Sequence, residues 1–470
     1  MGLLKSFSFS RAVTFFAILF LITALPHQAR GEVTVTPKTI RVGLVQDAQS
    51  QEFSVRGKYR LVAEGRDQII DVLPGQRWQV GYSSGKLQFT RDGRQVGSYA
   101  GPVVLEQVGS TVAVLGGSGA LKNTALDANM KVAGADQVTD LKTGAGKVSV
   151  VSASGTSLVQ GGGELNLVTL SISGRPQVYR GGMEFRAQGK GITVINELPL
   201  EEYLYGVLPR EIYAAWPLEA QKAQAVSARS YAVAQLGTYR EYGFDLLATQ
   251  QSQMYGGYSA EHPNSTRAVD GTKGQVLVCR GKPISGFFHS SSGGYIENCQ
   301  DVWTATLDYI KVRPDPYDKG SPYYNWLVTY SQEQLVNQLK EKKQLYNKGV
   351  NPERVFSRVD NIELLEKTAS GARVKKMRVT GQDASGKPLT ADFANADTVR
   401  SALGLRSSLF ELTKVKGPDG KLSQVSIKGS GNGHGLGLSQ YGALGMASQG
   451  YNYQDILKYY YSNIEIRPLS

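Results

Sequence analysis

Three stretches of the chain carry side chains able to do chemistry. The first is Val207-Leu208-Pro209-Arg210-Glu211-Ile212-Tyr213-Ala214-Ala215-Trp216-Pro217, which the sequence predicts as a loop joining two helices and pinned by proline at both ends. Glu211 sits there among Leu208, Ile212, Tyr213 and Trp216. A carboxyl group flanked by apolar and aromatic side chains loses solvation, which raises its pKa and keeps it protonated near neutrality. Such a group can protonate a departing glycosidic oxygen. Pairing with Arg210, or capping of the next helix, is the competing reading, and the residues alone leave it open. Ordinary glycoside hydrolysis uses two carboxylates. Glu201, Glu202, Glu219, Glu297 and Asp301 are candidate partners that the sequence cannot place. The requirement falls away when a C6 hydroxyl of the sugar itself attacks C1, because one residue then serves first as acid and afterwards as base.

The second stretch, Phe287-Phe288-His289-Ser290-Ser291-Ser292-Gly293-Gly294-Tyr295-Ile296-Glu297-Asn298, ends a strand in hydroxyls, glycines and a histidine. Glycines let backbone approach a ligand closely, and the hydroxyls and Asn298 can bond sugar hydroxyls. A His289, Ser291 and Asp301 hydrolase triad is conceivable, but no Gly-x-Ser-x-Gly elbow accompanies it. The third stretch runs from Gly429 to Gly442 (GSGNGHGLGLSQYG). It lacks the Gly-Lys-Ser/Thr ending of a phosphate loop, and its glycine spacing misses the dinucleotide pattern. It reads as a tight turn presenting His434 and Gln440, or as a purely structural glycine turn. His262, His289, His434, Cys279 and Cys299 offer no short-spaced ligand pair, so no obligatory metal and no cofactor are expected. A Cys279–Cys299 disulfide and a zinc pair both remain open.

The elements that must position these groups give an α+β reading. Residues 32–175 are β-rich and punctuated by glycine, with Ser83-Ser84-Gly85 as a hairpin signal between residues 78–82 and 86–89. Residues 148–163 read as flexible strands or a linker. Residues 178–196 form a hairpin that feeds a helix starting at Leu198-Pro199-Leu200-Glu201-Glu202. The next helix opens at Trp216-Pro217-Leu218-Glu219, with Pro217 in its first turn, and its alanines mark it as buried. Strands are expected at 274–279, 284–289, 367–380 and 423–428, with helices at 331–345, capped by Ser331, and at 453–461.

Composition limits what the chain can do. Its 470 residues are 41% hydrophobic and 20% charged, which is globular material for two or three domains. Two cysteines exclude a disulfide-knotted scaffold. Residues 1–31 read as a signal peptide: Lys5 and Arg11 precede an apolar run at 12–25, Pro26 breaks it, and cleavage is expected near Glu32. That run is shorter than the ~20 residues needed to cross a bilayer. Losing Lys5, Arg11 and Arg30 lowers the formal charge from +12 to +9. Export to a periplasm or cell wall makes nucleic acid an unexpected partner; anionic envelope polymers suit the charge, as does plain solubility.

The segments 198–207, Glu211, Trp216-Pro217-Leu218-Glu219-Ala220 and 222–232 resemble the SpoIID/LytB domain family. So do Phe288-His289-Ser290-Ser291-Ser292-Gly293-Gly294, Asp301-Val302-Trp303, Leu405-Arg406-Ser407-Ser408, the Gly433-His434-Gly435 to Tyr441-Gly442-Ala443 turn and the Ile456-Leu457-Lys458-Tyr459-Tyr460 tail. The pieces fall in the family's order across roughly 179–468, which places a SpoIID-like domain at 176–470 behind the β-rich region at 32–175. The resemblance implies an exported peptidoglycan lytic transglycosylase that cuts between N-acetylmuramic acid and N-acetylglucosamine on peptide-stripped strands and leaves 1,6-anhydro-muramic ends. It implies Glu211 as the catalytic acid and base, with Lys222, Arg229, His289, Ser290, Ser291, His434 and Gln440 lining or organising a glycan groove. Some members bind zinc near the histidine-serine loop; this chain has Ser291 and Ser292 where a cysteine would stand. The family also covers amidase enhancers, so the alternatives are a non-catalytic glycan-binding partner of an N-acetylmuramoyl-L-alanine amidase, or a plain wall-binding protein.

Overall fold

Alternation of apolar and polar residues builds two largely antiparallel layers at the start of the chain. The computed structural model describes residues 39–63, 69–108, 165–346 and 354–469, together with the backbone of short strands between 111 and 161. The expected signal segment lies outside the described residues, as does part of the stretch 148–163. The first sheet has seven strands in the order Leu246–Leu247, Thr39–Ala48, Gly191–Pro199, Gly182–Gln188, Val103–Gln107, Tyr59–Ala63 and Ile69–Val72. The second has six, from Arg175–Tyr179 through Leu167–Ile172, Ser50–Arg56, Trp78–Ser83 and Lys86–Arg91 to Arg94–Tyr99. The sheets meet through aromatic rings: Phe185 of the first lies 5.1 Å from Phe53 and 5.7 Å from Phe89 of the second, centroid to centroid. Aromatic pairs at this spacing add stabilisation beyond the apolar area they bury.

The boundary expected near residue 176 falls inside both sheets. Thr39–Ala48 pairs with Gly191–Pro199, and Leu167–Ile172 pairs with Arg175–Tyr179. The chain is therefore α+β as expected, with its β-rich start sharing sheets with the strands that lead into the first helix.

That helix, α1, spans Leu200–Glu211 and starts directly from the end of the inner strand Gly191–Pro199. The sequence predicted a loop from Val207, but α1 runs through Pro209. Proline removes one intrahelical N–H and crowds the carbonyl four residues back; only the last turn follows it here, and the Ile212 amide still reaches the Leu208 carbonyl at 3.0 Å. Glu211 is thus the last residue of a helix rather than a loop residue. Helix α2, Leu218–Ala234, packs in the middle against α1, α3 (Pro263–Asp270) and the strand Gln275–Cys279. Its buried alanines at 220, 223, 225, 228 and 232 permit that crowding. The expected strand at 284–289 is reduced to Phe288–His289, because the chain at Gly286 bends over α2. A Cβ there would come within 2.5 Å of the Ser227 carbonyl oxygen.

After the four-residue helix α4, Cys299–Val302, a second core forms around Phe356, Met377, Val379, Phe393 and Phe410. It is wrapped by two three-stranded sheets and by α5 (Gln332–Glu341) and α6 (Ala396–Ala402). Ser331 caps α5 as expected, with Gln334 completing a capping box. Helices α7, Gln440–Ser448, and α8, Tyr453–Tyr460, return to α2. Cys279 and Cys299 are both buried free thiols. Among the described residues, no helix is long and apolar enough to cross a membrane.

A chain beginning at residue 176 loses Thr39–Ala48, Tyr59–Ala63 and Val103–Gln107 from the sheet that carries α1, which exposes Phe185 and leaves two unpaired edges. Such a fragment is expected to elute as aggregate and to lack a cooperative calorimetric transition. A monomeric fragment with a sharp melt would contradict the shared-sheet architecture.

Candidate active site

At the C-terminus of α1 the side chain of Glu211 enters a cleft of about 270 Å³. Its lining includes Arg210, Ile212, Tyr213, Trp216, Ser290, Tyr323, Asn432, Gln440 and Tyr441. The segment after residue 252 fixes the carboxyl. Tyr203 of α1 donates from its hydroxyl to the Gln253 side-chain oxygen at 3.1 Å, and the Gln253 amide donates to the Ala228 carbonyl of α2 at 3.2 Å. Held between two helices in this way, the next backbone amide, Met254, donates to Glu211 Oε1 at 2.8 Å. From the other side Gln440 Nε2 donates to the Glu211 carbonyl at 3.0 Å. Burial pushes the Glu211 carboxyl up to about 7, against smaller opposing effects of the Met254 amide and the Arg210 charge.

The opposite part of the cleft is a joint between the serine loop and the glycine-rich turn. Phe288–His289 pairs in parallel with Leu438–Ser439. Ser291 and Asn432 exchange backbone bonds of 3.0 and 2.8 Å, and the Tyr441 amide donates to the Ser290 carbonyl at 3.0 Å. Glycine is required at these approaches: a Cβ at Gly433 would lie 2.7 Å from the His289 Cβ, and one at Gly437 would lie 2.1 Å from the Phe287 carbonyl oxygen. Both glycines also have positive φ, +114° and +67°. An aromatic rail runs along the cleft. Tyr213 lies 5.5 Å from Trp216, Trp216 4.9 Å from Tyr441 and Tyr441 6.3 Å from Tyr323, and the Arg406 guanidinium sits 4.9 Å above Tyr323. Tyr213 keeps 64% of its surface exposed, so its ring is available to a ligand.

Of the residues singled out in the sequence, Glu211, Ser290 and Gln440 meet in this cleft. Ser291 is fully buried behind it, and its hydroxyl donates to Asp318 Oδ2 at 2.8 Å. His289 is buried as well, with Nδ1 3.1 Å from the Leu436 carbonyl oxygen. Its ring lies 5.2 Å from that of His434, which in turn lies tilted 4.7 Å from the Trp303 ring, centroid to centroid. Burial holds His289 well below the usual histidine range and brings His434 down to about 4, so both are neutral at physiological pH. Lys222 lies elsewhere, paired with Glu219 at 2.7 Å and over the Tyr453 ring. Arg229 is fully buried and forks onto Glu201 at 2.9 and 2.6 Å. Sequence reasoning missed Tyr323, Asn432 and Tyr441 as cleft residues. The aromatic run Tyr323-Tyr324-Asn325-Trp326 was a usable signal for the first of these.

The carboxylates weighed as partners for Glu211 are committed to other contacts. Glu201 holds Arg229, Glu219 holds Lys222, and Asp301 pairs with Lys375 at 2.9 Å. Glu297 is fully buried and accepts from Thr368 and Ser370. Glu202 is pushed up by burial and by the neighbouring Glu261 charge, and is opposed in this by the attraction of Arg180. Among the described residues lining the cleft, Glu211 is the single carboxylate.

Two family profiles match the chain: one described as "Stage II sporulation protein" over residues 188–279, and a domain of unknown function over 304–437. The chain is similar to stage II sporulation protein D of Bacillus amyloliquefaciens, with 32% identity over 287 residues, or 58% of this chain and 75% of that relative. It belongs to the stage II sporulation protein D family. The Bacillus subtilis protein of the same name is 30% identical over 290 residues, with the same coverage of 58% and 75%. The amidase enhancer of Bacillus subtilis is 33% identical over 287 residues, which cover 55% of this chain but only 39% of the enhancer. The profile described as sporulation protein takes in Glu211, Lys222 and Arg229, whereas the serine loop and glycine turn lie beyond it.

Arg229→Met leaves Glu201, a largely buried acid with 18% of its side chain exposed, without its cation. Breaking such a pair typically costs about 3–5 kcal/mol. The urea midpoint should fall accordingly, and a variant as stable as the parent would show that the pair does not hold α1 to α2.

Proposed function

We propose that this protein is an exported peptidoglycan lytic transglycosylase that cuts between N-acetylmuramic acid and N-acetylglucosamine in peptide-stripped glycan strands. The observation that carries the reading is Glu211, a protonatable carboxyl beside an aromatic rail, with no second carboxylate among the described residues that line its cleft. Hydrolysis with an enzyme-activated water or an enzyme nucleophile would use a second acid. A single group suffices if the substrate supplies the nucleophile. Glu211 gives its proton to the leaving glycosidic oxygen as positive charge develops at C1. The resulting carboxylate then takes the proton of the muramic C6 hydroxyl as that oxygen closes on C1. The products are a free glycan end and a 1,6-anhydro-muramic end, and Glu211 is protonated again.

Each neighbour has a part in this reading. The Met254 amide fixes one carboxyl oxygen and leaves the other for the proton. Tyr213, Trp216 and Tyr441 offer apolar faces to sugar rings, and Ser290, Asn432 and Gln440 offer hydrogen bonds to sugar hydroxyls and acetamido groups. Lys222 and Arg229 act at a distance, as supports of α2. The neutral pair His289 and His434, with Ser291, supports the wall from behind.

The relative named amidase enhancer favours a second reading, in which the cleft binds glycan and stimulates an amidase without cutting. Denuded strands separate the two. Anhydro-muramic ends detected by mass spectrometry support cleavage, and retention of intact strands supports the enhancer.

Glu211→Gln should lower kcat by about 10²–10⁴-fold, the usual contribution of general acid–base catalysis, while strands still bind. Equal product from the variant would remove Glu211 from the role. For the parent, kcat/KM should fall as pH rises through about 7, where the proton is lost. The same group costs stability. An acid with a raised folded-state pKa binds its proton more tightly in the folded than in the unfolded chain, so stability declines from about pH 4.5 to about pH 7 as pH rises. Glu211→Gln should therefore raise stability at pH 8 by on the order of 3 kcal/mol and change little at pH 4, as read from thermal melts at the two pH values.

A further inference from the structure

Between the serine loop and the glycine turn the chain inserts the module with the second core, residues 326–430. Its turn between the strands Arg358–Lys367 and Val374–Gln382 comes back to the wall of the Glu211 cleft. Thr368 and Ser370 donate from their hydroxyls to Glu297 Oε1 at 3.0 and 2.6 Å. The Ala369 amide donates to Asp301 Oδ2 at 2.9 Å. Arg373 goes deepest and is fully buried. Its Nη2 donates to the Ser292 carbonyl at 2.5 Å, and its Nε lies 3.7 Å from Glu297, which is also fully buried. The guanidinium also lies against the glycine turn: a Cβ at Gly435 would sit 2.6 Å from its Cζ, Nε and Nη2. The Gly435 carbonyl in turn accepts from the Glu297 amide at 2.9 Å.

A fully buried guanidinium is expensive, and among the described residues Nε and Nη1 have no hydrogen-bond partner. A role in folding alone is served more cheaply by an apolar side chain of the same volume. What the guanidinium supplies in addition is a rigid plane between the two segments that make one wall of the cleft: Nη2 donates to Ser292 and the group lies against Gly435. Ser292 is two residues from Ser290 in the cleft, Gly435 is three from Asn432, and the two segments are joined by the Ser291–Asn432 backbone pair. A small change in the spacing at Arg373 is therefore passed directly to the polar groups of the cleft.

We propose that Arg373 is a positioning residue for glycan binding: from the inserted module it sets the spacing between the serine loop and the glycine turn, and so the hydrogen-bonding wall of the Glu211 cleft. The proposal rests on the reading of that cleft as a glycan site. Glu211 itself is fixed by Met254 and Gln440, neither of which touches Arg373, so a change at Arg373 should weaken strand binding and spare the proton-transfer step.

The test uses the full chain and denuded glycan strands. Arg373→Lys keeps the charge but loses the rigid plane. It should raise KM about tenfold, with kcat within about twofold of the parent and the fall in activity near pH 7 unmoved. Ser370→Ala, at the solvent edge of the turn, loosens Glu297 without touching the arginine and should raise KM about threefold in the same direction. In a Glu211→Gln background the same substitutions should raise the Kd for intact strands by matching factors. The binding arm reports on Arg373 whether or not the parent cuts; failure of the parent to release anhydro ends sinks the enzymatic reading alone. If both variants keep the parent KM and Kd, the proposal is overturned. It is equally overturned if KM and kcat fall together with the melting temperature, or if Arg373→Lys cannot fold and Ser370→Ala leaves binding unchanged.

Discussion

A carboxyl group that must keep its proton near neutral pH has to be dry, near little positive charge and yet still. These demands conflict, because the polar groups that hold a carboxylate in place also favour its ionised form. The chain reaches a compromise at Glu211. One backbone amide, Met254, reaches one oxygen. The restraint on the helix end comes through the main-chain carbonyl, which Gln440 engages and which has no effect on the proton. The immobility of that amide is in turn supplied far from the carboxyl. Gln253 is locked between α1 and α2, and the Tyr255 hydroxyl donates to Asn196 at 2.8 Å. The aromatic surroundings provide dryness, and the same surface is suited to sugar rings.

The rest of the charge in this half of the molecule is arranged so as not to disturb that compromise. Glu201 of α1 and Arg229 of α2, and Glu219 and Lys222 within α2, neutralise one another. Behind the wall, Arg373 and Glu297 form a buried pair, and burial keeps His289 and His434 uncharged. Arg373 helps there, because a neighbouring guanidinium disfavours a second positive charge on either ring. Among the cleft-lining residues described, the remaining formal charges are Arg210 and Glu211 themselves. Arg210 is the weaker influence on the carboxyl than its burial.

What the sequence made legible follows from the range of the forces involved. The environment of Glu211 was readable because Leu208, Ile212, Tyr213 and Trp216 are its chain neighbours, and local sequence sets much of its desolvation. The Ser331 cap and the hairpin leading into α1 were readable for the same reason. Lys222 and Arg229 were not. A polar residue on an alanine-rich helix can face a groove or a buried acid, and the acid that decides for Arg229 stands 28 residues earlier. The helical continuation through Pro209 was missed because a proline in the last turn forfeits little, and local rules weigh it as a break. Tyr323 and Asn432 join the cleft only through pairing between distant segments. The sharing of both sheets across residue 176 is likewise long-range information, fixed by strand register rather than by composition.

The inserted module is consistent with the same wall. The serine loop and the glycine turn must lie side by side, yet roughly 130 residues separate them. Closing so long a loop costs little more than closing a shorter one, since the entropy grows only with the logarithm of length. It requires the two ends of the insertion to be held together, and they are: Trp326 and Gly429 are direct strand partners, and the Trp326 indole N–H donates to the Gly431 carbonyl at 2.9 Å. The module therefore leaves and re-enters through a single strand pair at the edge of the glycine turn. Growth or shrinkage of its far loops need not move the wall, whereas its 368–375 turn, which reaches Ser292, Glu297 and Asp301, is tied to the wall's geometry. The module's core and its inner turn are thus under different constraints: packing alone for the first, and the spacing of the cleft for the second.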